Sequence, residues 1–204
     1  DEESCRSVFS QTMATCAVAS VLLSVVMFFL LRTILAVLGA EGDVAEYFLQ
    51  YYTILLFELP VMTVNASLGM FVRAEGRPQF YMAVTAFTCV LNILLDWLFT
   101  VGFGFGVRGI AAASLVSALL GFAFLLFYFA KKARVFRFAK FRFDRGIFRS
   151  TMLNGLSEFI GELSMCISIA AYNFVIMKRI GVDGVTAFTV VGYTTYVFSM
   201  VVCG

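Results

Sequence analysis

Apolar residues in this chain do not alternate with polar ones. They run on for about 20 to 30 positions at a time, divided by short charged or glycine-rich breaks. Six such runs fall at 8–38, 44–72, 79–101, 107–130, 147–178 and 184–204. A helix rises 1.5 Å per residue, so about 20 apolar residues cross the roughly 30 Å hydrocarbon core of a bilayer. A backbone in lipid must satisfy its own polar groups, and the alternating strands of about ten residues that mark a membrane barrel are absent. The pattern therefore predicts an all-α, polytopic bundle of six transmembrane helices.

Composition agrees: 61% of residues are hydrophobic and 14% charged, with a mean hydropathy of +0.94. Five cysteines show no paired spacing and read as small buried apolar residues. Histidine is absent, which removes the commonest general base and metal ligand; no enzymatic chemistry and no cofactor are expected. The opening DEESCRS is acidic where a cleavable leader is basic, so none is expected.

Charge sets orientation, because Lys and Arg stay on the cytoplasmic side. The segment KKARVFRFAKFRFDRG (131–146) with Arg149 holds eight of the fifteen basic residues, and RAEGRPQ (73–79) adds Arg73 and Arg77. Both breaks are placed inside, and the acidic GAEGDVAE (39–46) outside. The 131–146 stretch reads as a linker on anionic headgroups rather than a nucleic-acid site. It divides the chain into 1–130 and 147–204, four spans and two. A second bundle is thus only begun at Gly204, and the chain reads as cut from something larger.

Ionisable groups at bilayer depth are costly and mark function. Five lie away from the run ends, at depth: Arg32, Glu58, Asp96, Glu158 and Glu162. At 100° per residue, Tyr81, Thr85, Thr88, Asn92 and Asp96 share an arc of about 80° on one helix face. Asn92 and Asp96, four apart, offer amide and carboxylate oxygens to a Na⁺ ion, or the carboxylate alone to a proton. The loop GFGFGVRG makes the next span an antiparallel neighbour, which sets Ser114 level with Asp96. Gly109, Ala113, Ser117 and Gly121 form a small-residue stripe for close helix approach, with Ser117 read as packing.

Glu58 stands two residues before Pro60, where a lost backbone donor predicts a kink and a cavity wall; Asn65 lies further along the same span. Glu158, Glu162 and Asn173 form a stripe on the fifth span that suits a hydrated, cation-attracting cavity. Arg32 reads as snorkelling to the outer border, and Trp97 as part of an aromatic belt.

LPVMTVNASLGMFVRAEGRPQ, followed by VLNILLDWLFTVGFGFGVRGIAAASLVS, resembles the multidrug and toxic compound extrusion (MATE) family of the MOP superfamily. Four signatures stand in family order: Asn65, the RAEG turn at 73–76, Asn92 to Asp96, and Gly109 to Ser117. NGLSEFIGELSMCISIAAYNFVIMKRIGVDGVTAF is similar to the opening of the family's second lobe, nearest its MepA-like branch. The resemblance implies helices three to eight of a twelve-helix, two-lobe transporter: 1–130 ends the first lobe, 131–146 links the lobes, and 147–204 begins the second.

By position, Asn92, Asp96 and Ser114 match the family's first-lobe cation site, while Glu162 is the nearer candidate for a second-lobe acid. Glu58, Asn65, Thr85, Thr88, Glu158 and Asn173 are expected to line the substrate cavity. The implied function is export of amphiphilic, often cationic drugs from the cytoplasm by a monomer in the cytoplasmic membrane, driven by Na⁺ or H⁺. A lipid-linked oligosaccharide flippase of the same superfamily and a truncated, non-transporting bundle are the alternatives.

Overall fold

Each apolar run forms one long helix, because in hydrocarbon only a continuous helix satisfies every amide. The structure, a computed structural model, describes residues 2–38, 42–139 and 143–203. Its helices are α1 (Glu2–Leu38), α2 (Gly42–Ala74), α3 (Pro78–Trp97), α4 (Gly106–Lys131), α5 (Arg145–Arg179) and α6 (Val182–Cys203), with a π-helical turn, Leu98–Gly102, continuing α3. Among the described residues, α1 to α5 carry windows long and apolar enough to cross a membrane. The sixth run forms the 22-residue α6.

The breaks follow local chemistry. Gly76 takes φ +75°, the left-handed geometry that ends helices without a Cβ penalty, and Pro78 follows at the first turn of α3. Pro60 lies inside α2 without ending it. The chain divides into two units, Asp1–Phe148 and Arg149–Gly204.

In the first unit, α2 packs on both α1 and α4, and α4 also packs on α3. Its core gathers at the end carrying the basic breaks: Phe9, Met13, Leu68, Val72, Val84, Leu125, Tyr128, Phe129 and Ala133. Phe9, fully buried, stacks on Phe129 at 5.0 Å and meets Phe71 edge-on at 4.8 Å. Elsewhere α1 turns apolar side chains outward, with Phe29 77% exposed. That surface is suited to lipid and not to water.

The 131–146 segment is more closely held than a strand lying on headgroups. Glu75 Oε1 accepts the backbone N–H groups of Arg134, Val135 and Phe136 at 3.2, 3.0 and 3.0 Å, and Tyr128 donates its hydroxyl to Glu75 Oε2 at 2.6 Å. Ser10 Oγ accepts the Ala139 N–H at 3.0 Å. The buried Gln11 grips Asp144 twice, donating Nε2 to its carbonyl at 2.8 Å and accepting its N–H at 3.0 Å. Asp144 Oδ1 then caps α5 through the N–H groups of Gly146 and Ile147. Residues 140–142 lie outside the described ones. Lys131, Lys132, Arg134 and Arg137 remain exposed, although Arg137 donates Nε to the Ala133 carbonyl at 2.8 Å and Lys131 lies over the Phe127 ring.

Gly69 marks the tightest approach of α2 to α3. A Cβ added there would sit 2.2 Å from the Tyr81 ring, whereas one added at Gly155 would meet nothing within 4 Å. Overpacking of this kind costs about 1–3 kcal/mol. Gly69→Ala is therefore expected to lower the thermal unfolding midpoint of the chain in detergent clearly, and Gly155→Ala to leave it unmoved. Equal midpoints for the two variants would show that Tyr81 yields freely.

Candidate functional site

The polar stripe of α3 faces a cavity of about 360 Å³ within the first unit, walled by α2, α3 and α4. From α2 come Glu58, Met62 and Asn65; from α3, Tyr81, Thr85, Thr88 and Asn92; from α4, Ser114, Ser117 and Gly121. Small residues make this approach possible. Gly109, Ala113, Ser117 and Gly121 are all buried on α4. A Cβ on Gly121 would lie 2.9 Å from the Thr88 methyl, and one on Gly109 3.1 Å from Phe99. Ser117, expected only to pack, is both packed and part of the cavity wall.

Several of the lining's hydrogen-bond donors are spent on the protein. Asn65 donates Nδ2 to the Ala118 carbonyl at 2.9 Å, tying α2 to α4, and Asn92 donates Nδ2 to Ser114 Oγ at 3.2 Å, tying α3 to α4. Thr85, Thr88 and Ser117 each donate a hydroxyl to a carbonyl of their own helix. Acceptor oxygens remain for a guest. Asn65 Oδ1 is buried with no hydrogen-bond partner, and Glu58, only 5% exposed, contributes a carboxylate. No basic side chain lines the cavity. Such a wall favours a guest that is positively charged or donates hydrogen bonds.

Asp96 stands one turn beyond Asn92 and is half-buried. It does not line the cavity, and its Oδ1 is buried without a hydrogen-bond partner. Thus the structure joins Asn92 to Ser114 directly and leaves the neighbouring carboxylate with an unused oxygen. Amide, hydroxyl and carboxylate oxygens are the donors that a hard monovalent cation takes. Among the described residues no three His, Cys, Asp or Glu side chains converge as a denser metal site would need. The π-turn begins two residues past Asp96, with Phe103 N–H bonded to the Leu98 carbonyl at 2.9 Å. Thr100 donates its hydroxyl to the Asp96 carbonyl. Widened turns of this kind recur at functional sites.

Glu158, Glu162 and Asn173 belong to the second unit and stand on α5. Glu158 and Glu162 are exposed there, and Asn173 Oδ1 is buried without a partner. The first-unit cavity thus gathers Glu58, Asn65, Thr85, Thr88, Asn92 and Ser114, and Asp96 does not line it.

Residues 1–98 match the MatE family model. The multidrug export protein MepA of Staphylococcus aureus (strain bovine RF122 / ET3-1) is 30% identical over 102 residues, 50% of this chain and 23% of MepA. MepA of Staphylococcus saprophyticus is 29% identical over 98 residues, 48% of this chain and 22% of that protein. Among solved structures, an outward-facing multidrug resistance MATE family transporter of the MOP superfamily superposes with TM-score 0.88 at 26% identity, over 97% of this chain and 44% of that one. The first half of the chain thus resembles the MATE family, and the fold is that of solved MATE transporters.

A second structural neighbour of the chain has TM-score 0.89 at 26% identity, over 96% of this chain and 44% of that one. It is a MOP superfamily transporter from Pyrococcus furiosus whose binding pocket of reverse polarity suggests a different function. In the present chain the cavity lining carries one carboxylate, Glu58, and no basic side chain. The chain spans about a quarter of MepA in sequence alignment and under half of each of these transporters in structure. Two features of the chain were not anticipated from its sequence: the π-turn after Asp96, and Glu75 as the anchor of the linker. The RAEG turn held the only available signal for the second.

Proposed function

We propose that the chain serves secondary active export of amphiphilic, often cationic drugs across the cytoplasmic membrane, as a monomeric cation-coupled antiporter working by alternating access. In this reading 1–130 ends the first lobe, 131–146 links the lobes and 147–204 opens the second. The coupling ion, Na⁺ or H⁺, is taken as cargo at Asn92, Asp96 and Ser114, and Glu158, Glu162 and Asn173 face the drug path from the second lobe. The observation that carries the proposal is the first-unit cavity: its one ionisable lining group other than Tyr81 and Cys89 is the Glu58 carboxylate, and it holds no basic residue. Relatives named for multidrug export support the same reading. A flippase for anionic lipid-linked sugars fits this lining poorly, since like charges repel inside a low-dielectric site.

Coupling requires the ion to bind the two access states with different affinity. An ion at Asp96 neutralises its charge and takes up the unused oxygen beside the Asn92–Ser114 bond. That changes how α3 packs on α4 at the edge of the cavity. Proteoliposomes holding the protein, with an imposed Na⁺ or pH gradient, test the reading. One gradient is expected to drive ethidium uphill and the other not; failure of both would remove antiport.

A further inference from the structure

We infer that Glu58 is the specificity-determining residue of this cavity, the counter-ion for the charge of a bound organic cation, with Asp96 reserved for the coupling ion. The inference rests on the cavity being the drug chamber proposed above, and adds a division of labour between two carboxylates that their placement imposes.

Three observations lead to it. Glu58 lines the cavity and is 5% exposed, while Asp96 does not line it. The amides of Asn65 and Asn92 and the hydroxyls of Thr85, Thr88 and Ser117 are already donated within the protein. The lining holds no Lys or Arg, so nothing in it neutralises the carboxylate except what enters. A carboxylate at this depth without a partner is expensive, and a guest cation removes that cost. Glu58 also lies two residues before Pro60 within α2, on the helix that Asn65 ties to α4. Its position is held by the bundle, so the charge sits at a fixed point in the cavity.

The consequence is selectivity by charge sign with tolerance of shape. The remaining wall is largely apolar or presents lone pairs: Met62, Val84, Leu125 and the threonine methyls touch the guest without demanding a geometry. Glu58 alone then separates a cation from an anion of the same size.

Tetraphenylphosphonium and tetraphenylborate, equal in shape and opposite in charge, make the test. Their binding to the chain in neutral-lipid nanodiscs would be measured by equilibrium dialysis for wild type, Glu58→Gln, Glu58→Asp and Asp96→Asn, with empty discs subtracted. Glu58→Gln is expected to weaken phosphonium binding by at least about tenfold, the loss that removal of one desolvated charge partner brings. Glu58→Asp, which keeps the charge, should hold most of it, and Asp96→Asn should lose clearly less than Glu58→Gln does. Equal phosphonium binding by Glu58→Gln and wild type overturns the role of Glu58 and leaves the chamber standing. An equal loss in Glu58→Asp and Glu58→Gln makes the residue a packing element and also overturns it. A loss in Asp96→Asn as large as in Glu58→Gln overturns the division of labour. No cation binding by wild type overturns the chamber with it.

Discussion

Asp96→Asn is expected to cut ion-driven ethidium export by about 5- to 150-fold, the span of a coupling free energy of about 1–3 kcal/mol. Asparagine keeps the size of the side chain and an acceptor oxygen and removes only the charge. The Asn92–Ser114 bond at 3.2 Å does not involve Asp96, so the join between α3 and α4 should survive and the variant should reach the membrane in normal amount. What it loses is the carboxylate whose Oδ1 is buried without a partner, the group proposed to receive the ion. Ethidium binding should persist, because Asp96 does not line the cavity. Export at the wild-type rate would make Asp96 structural and move the coupling elsewhere.

That prediction was available from sequence because of how helices expose their pattern. Thr85, Thr88 and Asn92 fall on one face at 100° per residue, and in an otherwise apolar helix such a face has to meet something other than lipid. The six runs gave the six helices for a related reason, since a spanning backbone has no alternative to the helix. Loop length alone brings Ser114 beside α3, because a short turn makes neighbours antiparallel, but it set Ser114 level with Asp96 whereas the hydrogen bond goes to Asn92, one turn away.

Other features were hidden because no periodicity encodes them. Asp96 shares the helix face of Asn92 but stands one turn further along α3, beyond where the cavity lining ends. The π-turn at Leu98–Gly102 arises from packing against α4, where Gly109 leaves room for Phe99. The basic 131–146 segment read as a headgroup strand because its charges dominate the sequence. Its backbone N–H groups, which decide where it lies, carry no mark in the sequence at all. Glu58 reads as a cavity residue from its proline neighbour, but the case for its charge comes only with a cavity lining that holds no basic side chain.

Glu75→Ala is expected to unlatch the start of that linker. One carboxylate oxygen takes three successive backbone N–H groups and the other takes the Tyr128 hydroxyl. Charge-assisted bonds of this kind are individually worth about 1.5–3 kcal/mol, though partial exposure of Glu75 and entry of water recover much of the loss. A net destabilisation of about 2 kcal/mol, within the range for one such bond, is the expectation for alanine. Glutamine, which still offers one acceptor oxygen, should fall between alanine and wild type. Burial pushes the Glu75 carboxyl up, but bonds from Tyr128 and from the N–H groups of Phe136, Val135 and Arg134 outweigh it and hold the group below its ordinary value of 4.5. The sign follows from linkage: the folded state binds the proton less readily than the unfolded chain, so the latch contributes fully above about pH 4.5 and fades as pH falls through the lower folded value. Hydrogen–deuterium exchange of residues 134–136, corrected for the intrinsic pH dependence of exchange, reads this directly. Protection in wild type should weaken below that value, while the alanine variant should be weakly protected at every pH. Equal protection in both at neutral pH would mean that packing of Phe136 on Phe9 and Phe71 holds the segment, and that the carboxylate only decorates it.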